Sequence, residues 1–189
     1  KKLIFLFIIV IIFILSFYSY QMYQNKQNST LSDKYNIASI EYEKGNEQKT
    51  ISIMKEVIEK KNSTYSPLGL YFLIDNNLIK NKEEVNNLFD ILIDETNLDY
   101  EIKNLIIYKK GLYNADTIDE NGLLNILSPL INSKSIWKSH ALYLAAEFFY
   151  FKNEKQKAKE FFTQILQTNN VNQEILKEAQ KRLNRDLSE

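Results

Sequence analysis

The sequence predicts an all-α chain: a single N-terminal transmembrane helix, then a tetratricopeptide-like α-solenoid of about four helical hairpins and a C-terminal capping helix. Three observations predict it. Only 4 Gly and 2 Pro occur in 189 residues, too few turn formers for an all-β fold. An uncharged apolar run, Leu3 to Tyr20, follows Lys1-Lys2 directly. Polar breaks then recur in two interleaved series. Those inside hairpins fall at Gly45, Asn81, Thr117 and Asn153, 36 residues apart. Those between hairpins fall near Asn62-Ser63-Thr64, Glu95-Thr96-Asn97, Asn132-Ser133-Lys134 and Asn169-Asn170. The period is close to the about 34 residues of tetratricopeptide repeats.

Three segments follow in order: a transmembrane anchor over 1–23, a juxtamembrane linker over 24–31, and the solenoid over 32–187. At about 1.5 Å per residue the run from Leu3 to Tyr20 gives about 27 Å of helix, enough for a hydrocarbon core. Tyr18, Tyr20 and Tyr23 cluster at its far end, where amphipathic rings sit at headgroup level. A cleaved signal peptide needs small residues at the cleavage site, and Phe17-Tyr18-Ser19 matches poorly, so a retained anchor is expected. Lysines ahead of the span place the N-terminus in the cytoplasm and the bulk of the chain outside. Gln24 to Thr30 is polar and lacks apolar periodicity, hence the linker.

In the first hairpin Tyr35, Ala38 and Tyr42 share one helical face, and after Gly45-Asn46 the residues Ile51, Met54, Val57 and Ile58 form the second. The second hairpin has Leu70, Leu73 and Ile74 before the Lys80-Asn81 turn, then Val85, Leu88, Phe89 and Leu92. Pro67 suits the first turn of its opening helix, where a missing N–H is harmless. The third runs through Ile102, Leu105, Ile106 and Lys109, breaks over 116–119, and resumes with Leu123, Leu124 and Leu127 until Pro129 ends or kinks it after Ser128. In the fourth, Leu142, Ala145, Ala146 and Phe149 are answered by Ala158, Phe162 and Ile165. Small residues at Ala146 and Ala158 allow close approach of two helices, with Phe149 and Phe162 filling the space around them. This reads as the repeat signature with Leu142 for its Trp, Ala145-Ala146 for its Leu-Gly, and no closing Pro. Asn172 then caps a last helix bearing Ile175, Ala179 and Leu183.

Composition narrows function. Lysine and arginine balance aspartate and glutamate at 24 each, so there is no basic surplus for nucleic acid. The absence of Cys excludes disulfides, thiolate metal sites and a lipoprotein anchor. His140 is the only histidine, so no His-based zinc or nucleophile–His arrangement is available, and it reads as a surface or groove residue. Glu83-Glu84 and Asp119-Glu120 lie beside turns and read as solvated faces or first-turn charges. No glycine-rich phosphate loop occurs. No enzyme, cofactor, metal or small-molecule substrate is expected. What remains is a binding surface. In such a stack the first helix of each pair lines the concave face, which makes Tyr35, Tyr42, Tyr71, Tyr143, Glu147 and Tyr150 candidate groove residues, with half-buried packing as the alternative for any single tyrosine.

Pro129-Leu130, Ile136-Trp137-Lys138, Ala141 and Ala145, running into Asn153-Glu154-Lys155 and Ala158, resemble the YfgM-type family. These are ancillary subunits of the bacterial Sec translocon, here in the form seen among alphaproteobacteria, and the order of parts matches along nearly the whole chain. The resemblance implies anchoring in the bacterial inner membrane with the bulk of the chain in the periplasm. It further implies contact with translocon subunits, periplasmic chaperones or translocating polypeptides, and it brings no catalytic residues. A structural role in another envelope assembly, such as cytochrome maturation or cell division, is the alternative.

Overall fold

A computed structural model describes residues 2–169 and 171–187, with side chains from residue 7 onward except residue 8. Helices joined by short turns make up the described residues, and no strand occurs among them. In chain order the helices are α1 (Lys2–Glu43), α2 (Glu47–Glu59), α3 (Tyr65–Asp75), α4 (Lys82–Asp90), α5 (Tyr100–Asn114), α6 (Glu120–Ile131), α7 (Lys138–Phe151), α8 (Lys155–Leu166) and α9 (Gln173–Arg185). A π-helical turn, Ile91–Glu95, follows α4 directly. Two compact units, Lys1–Ile91 and Leu92–Glu189, divide within that turn. The expected solenoid region is thus shared between them.

In the first unit α1 and α2 form an antiparallel hairpin. Gly45 (φ +79°) reverses the chain, its N–H bonding Tyr42 O at 2.9 Å while Asn46 N–H bonds Glu41 O at 2.9 Å. That pair of bonds satisfies carbonyls the helix end would otherwise orphan. Asn153 (φ +62°) repeats it between α7 and α8, donating to Tyr150 O while Glu154 N–H reaches Phe149 O. Between α3 and α4 the left-handed residue is Asn77 (φ +53°), at the start of the break in which the Lys80-Asn81 turn is expected. Asn81 instead caps α4, its side chain accepting from Glu83 N–H at 2.9 Å and Glu84 N–H at 3.2 Å. Asp119 caps α6 through Gly122 N–H, and Asn172 caps α9 as expected.

Three local expectations are corrected. Gln24 to Thr30 is helical, so α1 runs unbroken through the expected linker for 42 residues. The stretch contains no Gly or Pro, and its polar side chains bond back one turn: Gln24 to Tyr20, Gln27 to Tyr23, and Thr30 Oγ to Lys26 O. Pro129 lies inside α6, so the helix does not end at Ser128 but continues to Ile131. Asn125 O, which would accept from a residue-129 N–H, receives Ser128 Oγ at 3.4 Å, and the helix ends within the same turn. In α5 the buried side is Asn104, Ile106, Ile107 and Gly111, while Ile102 is exposed. Gly111 sets that rotation, because a Cβ there would lie 2.6 Å from Leu127 Cδ2 of α6.

The expected span from Leu3 to Tyr20 begins with residues 3–6 and 8, whose side chains lie outside those described. Among the described residues no helix is long and apolar enough to cross a membrane. Asn170 of the last expected break likewise lies outside the described residues.

Outside α5 the cores draw on the predicted faces. Ala38, Met54, Val57, Ile58, Leu70 and Leu73 are fully buried in the first unit. In the second, Leu142, Ala145 and Ala146 of α7 meet Ala158, Phe162 and Ile165 of α8, each fully buried. Phe149 stacks on Phe161 with ring centroids 5.4 Å apart. In the second unit the opening helices α5, α7 and α9 also touch in sequence. That contact positions the candidate site.

Candidate protein-interaction groove

α7 carries two apolar stripes. Leu142, Ala145 and Phe149 face the core, whereas Leu144, Phe148 and Phe151, at i, i+4 and i+7, form a second line. Aromatic residues at 148, 149 and 151 cannot share one face at 100° per residue, so some of them must turn away from the core. Opposite the second stripe stand Leu112 of α5 and, in the turn just after that helix, Ala115 and Asp116. Together with Glu147 and Lys152 they line a cleft of about 590 Å³. Phe148 forms its buried floor at 7% exposure, and Phe151 (89%) and Leu112 (52%) stand open to solvent. Lys152 Nζ lies 5.5 Å from the centroid of the Phe148 ring, so the rim cation also packs against the floor.

The Glu147 side of this cleft is held from α9. Arg182 Nε and NH2 reach Glu147 Oε1 and Oε2 at 2.8 and 2.7 Å, a bidentate pair. Arg182 NH1 bonds Asp186 Oδ2 at 3.0 Å, and Arg185 grips the same carboxylate at 2.6 and 2.8 Å. The Arg182 guanidinium sits 4.8 Å from the centroid of the Tyr150 ring. Hydrogen bonds from Arg185 and Arg182 hold the Asp186 carboxyl well below the usual carboxylate range. Those to Asp186 and Glu147 push the Arg182 guanidinium up.

The six sequence-predicted groove residues therefore fall in two places. Tyr143, Glu147 and Tyr150 come together on α7. Tyr143 is half-buried edge-on against Phe162 at 5.7 Å, and its phenol is raised by burial and then by Glu147. Tyr150 lies under Arg182. Of the three, Glu147 lines the cleft. Tyr35 and Tyr42 on α1 flank Phe72 of α3 edge-on at 5.9 and 5.4 Å, so both are packing residues in part. Tyr71, on the neighbouring position of α3, has its phenol pushed up to about 12 by burial and then by Asp75.

Leu112, Leu144, Phe148, Phe151 and Arg182 were not singled out from the sequence. The i, i+4, i+7 stripe was the available signal for three of them. His140 is half-buried among rings, 4.8 Å from Trp137 and 5.6 Å from Tyr108, and desolvation lowers its pKa against the opposing effect of the Ile136 carbonyl. Glu84 pairs with Lys55, and Glu120 with Lys157 at 2.6 Å, so both carboxylates act as structural links between helices.

An apolar floor, two projecting hydrophobic side chains and a rim bearing both charges suit a polypeptide segment with large apolar side chains. Comparison with protein-family models, curated proteins and solved structures gives no match for this chain.

Proposed function

We propose that this chain is a membrane-tethered adaptor whose tetratricopeptide-like hairpin stack holds other polypeptides in the α5–α7 cleft, beside the Sec translocon on the periplasmic side of the inner membrane. The observation that carries the reading is Phe151, 89% exposed at the lip of an apolar cleft whose floor is another phenylalanine. An aromatic side chain left in water beside a half-apolar cavity is the kind of anchor that partner proteins cover.

Tethering is supported by α1. From Phe7 to Phe17 its described apolar side chains are 41–75% exposed, and such a surface gains stability when lipid replaces water. A tether raises the local concentration of the cleft at the membrane, so weak contacts suffice. Placement beside the translocon, and the choice of emerging polypeptides or periplasmic chaperones as partners, draw on the YfgM-type resemblance over residues 129–158.

Photocrosslinking in cells from position 151, with Glu160 on the exposed side of α8 as the control position, tests the reading. Translocon subunits or translocating chains should be captured from 151 and not from 160. A dominant stoichiometric partner from another envelope assembly would move the protein there, and equal capture from both positions would remove the cleft from the account.

A further inference from the structure

We propose a second site: a cleft between α1 and the end of α2 that takes the phosphate headgroup of an anionic glycerophospholipid. The inference rests on the reading that the apolar part of α1 enters a bilayer. The cleft measures about 310 Å³ and is lined by Tyr23, Lys26, Thr30, Leu31, Lys34 and Lys60 among others. Three ammonium groups face it, and no carboxylate is among its lining residues. Lys34 is paired with Glu56. Lys26 and Lys60 are exposed, and Lys60 also feels the charge of Glu56, which lies outside the lining.

Helix geometry puts these charges at one level. Lys26 lies six residues beyond Tyr20, about 9 Å along the axis, and so falls about where a headgroup layer would sit if Tyr20 marks the edge of the hydrocarbon. α2 runs back antiparallel to α1, which delivers its last turn to the same height. The return is pinned there: Asn62 Nδ2, just after α2, donates to Asn28 Oδ1 of α1 at 2.7 Å. Lys60 is thereby held across the cleft from Lys26 by the fold, at a sequence distance that no local pattern links.

The remaining groups suit a lipid phosphate. Tyr23 OH accepts from Gln27 Nε2 at 2.5 Å, which leaves the phenol proton to donate to a phosphate oxygen. Leu31, 3% exposed, gives the cleft an apolar base against which a glycerol backbone can pack. The site is also continuous with the exposed apolar side of α1, where acyl chains would lie. A free phosphate ester would use the lysines but leave the apolar base without a partner.

The test uses the full chain reconstituted in nanodiscs of mixed phosphatidylglycerol and phosphatidylcholine, then extracted with mild detergent. Native mass spectrometry reads the lipids that stay bound. The wild type should retain phosphatidylglycerol over phosphatidylcholine, with that preference falling roughly fivefold for each of Lys26→Gln and Lys60→Gln. Lys155→Gln and Lys177→Gln, which remove exposed charges elsewhere, should leave it unchanged. Equal retention of the two lipids by a firmly inserted wild type, or equal loss in all four variants, overturns the headgroup site and leaves tethering intact. Displacement by glycerol 3-phosphate as readily as by a short-chain phosphatidylglycerol overturns the lipid assignment. Release of the wild type from vesicles by alkaline carbonate, whatever their composition, removes the tether and the headgroup site with it.

Discussion

Tyr35 and Tyr42 on α1 occupy the same kind of position as Tyr143 and Tyr150 on α7, each pair on the opening helix of a hairpin. The first pair packs against rings, edge-on to Phe72. The second is closed partly by charge, with Arg182 over Tyr150 and both ends of that arginine tied to carboxylates. Ring packing has only a soft orientational preference, and the burial it provides is indifferent to protonation. A bidentate guanidinium pair demands fixed geometry and an ionised partner, so it positions a neighbouring surface more exactingly. The cleft with exposed Phe151 adjoins the charged arrangement. Arg182 fixes the position of Glu147 on that side of the cleft, while the core beneath holds the helices together.

Removing that core should have the largest effect. Phe149→Ala and Phe162→Ala each leave a cavity in a fully packed interface and should each cost about 3–5 kcal/mol by denaturant titration. Tyr42→Ala, at a half-buried ring, should cost clearly less. Equal losses at Phe149 and Tyr42 would mean that the two faces are packed alike.

Next come the two glycines at which one helix crosses another. Gly111→Ala forces a methyl to within 2.6 Å of Leu127 Cδ2, inside a fully buried contact, and should destabilise by about 1–2 kcal/mol. Gly69→Ala meets Ile58 Cγ1 at 3.2 Å and Met54 O at 3.3 Å. A shift of a few tenths of an ångström relieves that contact, and the gain in helix propensity offsets much of the remainder. The reverse ranking would show that α3 approaches α2 more tightly than α5 approaches α6.

A smaller effect separates the charged closure from the ring closure by pH. The folded-state pKa of Asp186 is depressed, so its stabilisation is fully present above its unfolded value of about 3.9 and is lost as pH falls below it. Hydrogen exchange should show α9 losing protection as the solution is acidified through that range. In Asp186→Asn, α9 should be less protected at neutral pH and the acid step smaller. An acid step of undiminished size in the variant would assign it to another group.

The smallest change in stability is expected at Phe151→Ala, within about 0.5 kcal/mol of wild type because the ring is almost wholly exposed. Capture of partners through the cleft should nevertheless drop. A large loss of stability would make Phe151 a packing residue and the cleft part of the core.

The sequence by itself determined the helical class, the location of the breaks, the cap at Asn172, and the Leu142–Phe149 face with its answering Ala158 and Phe162. These are short-range matters, decided by residues within about one turn through backbone hydrogen bonding and side-chain spacing. Tertiary structure decided which of two apolar stripes on α7 stays open, that α5 rotates to put Gly111 rather than Ile102 inward, and that Tyr150 lies beneath an arginine. Glu147 and Arg182 are 35 residues apart, and Asn28 and Asn62 are 34 apart. Burial depends on what another helix brings to a face, and that partner cannot be read from the face itself.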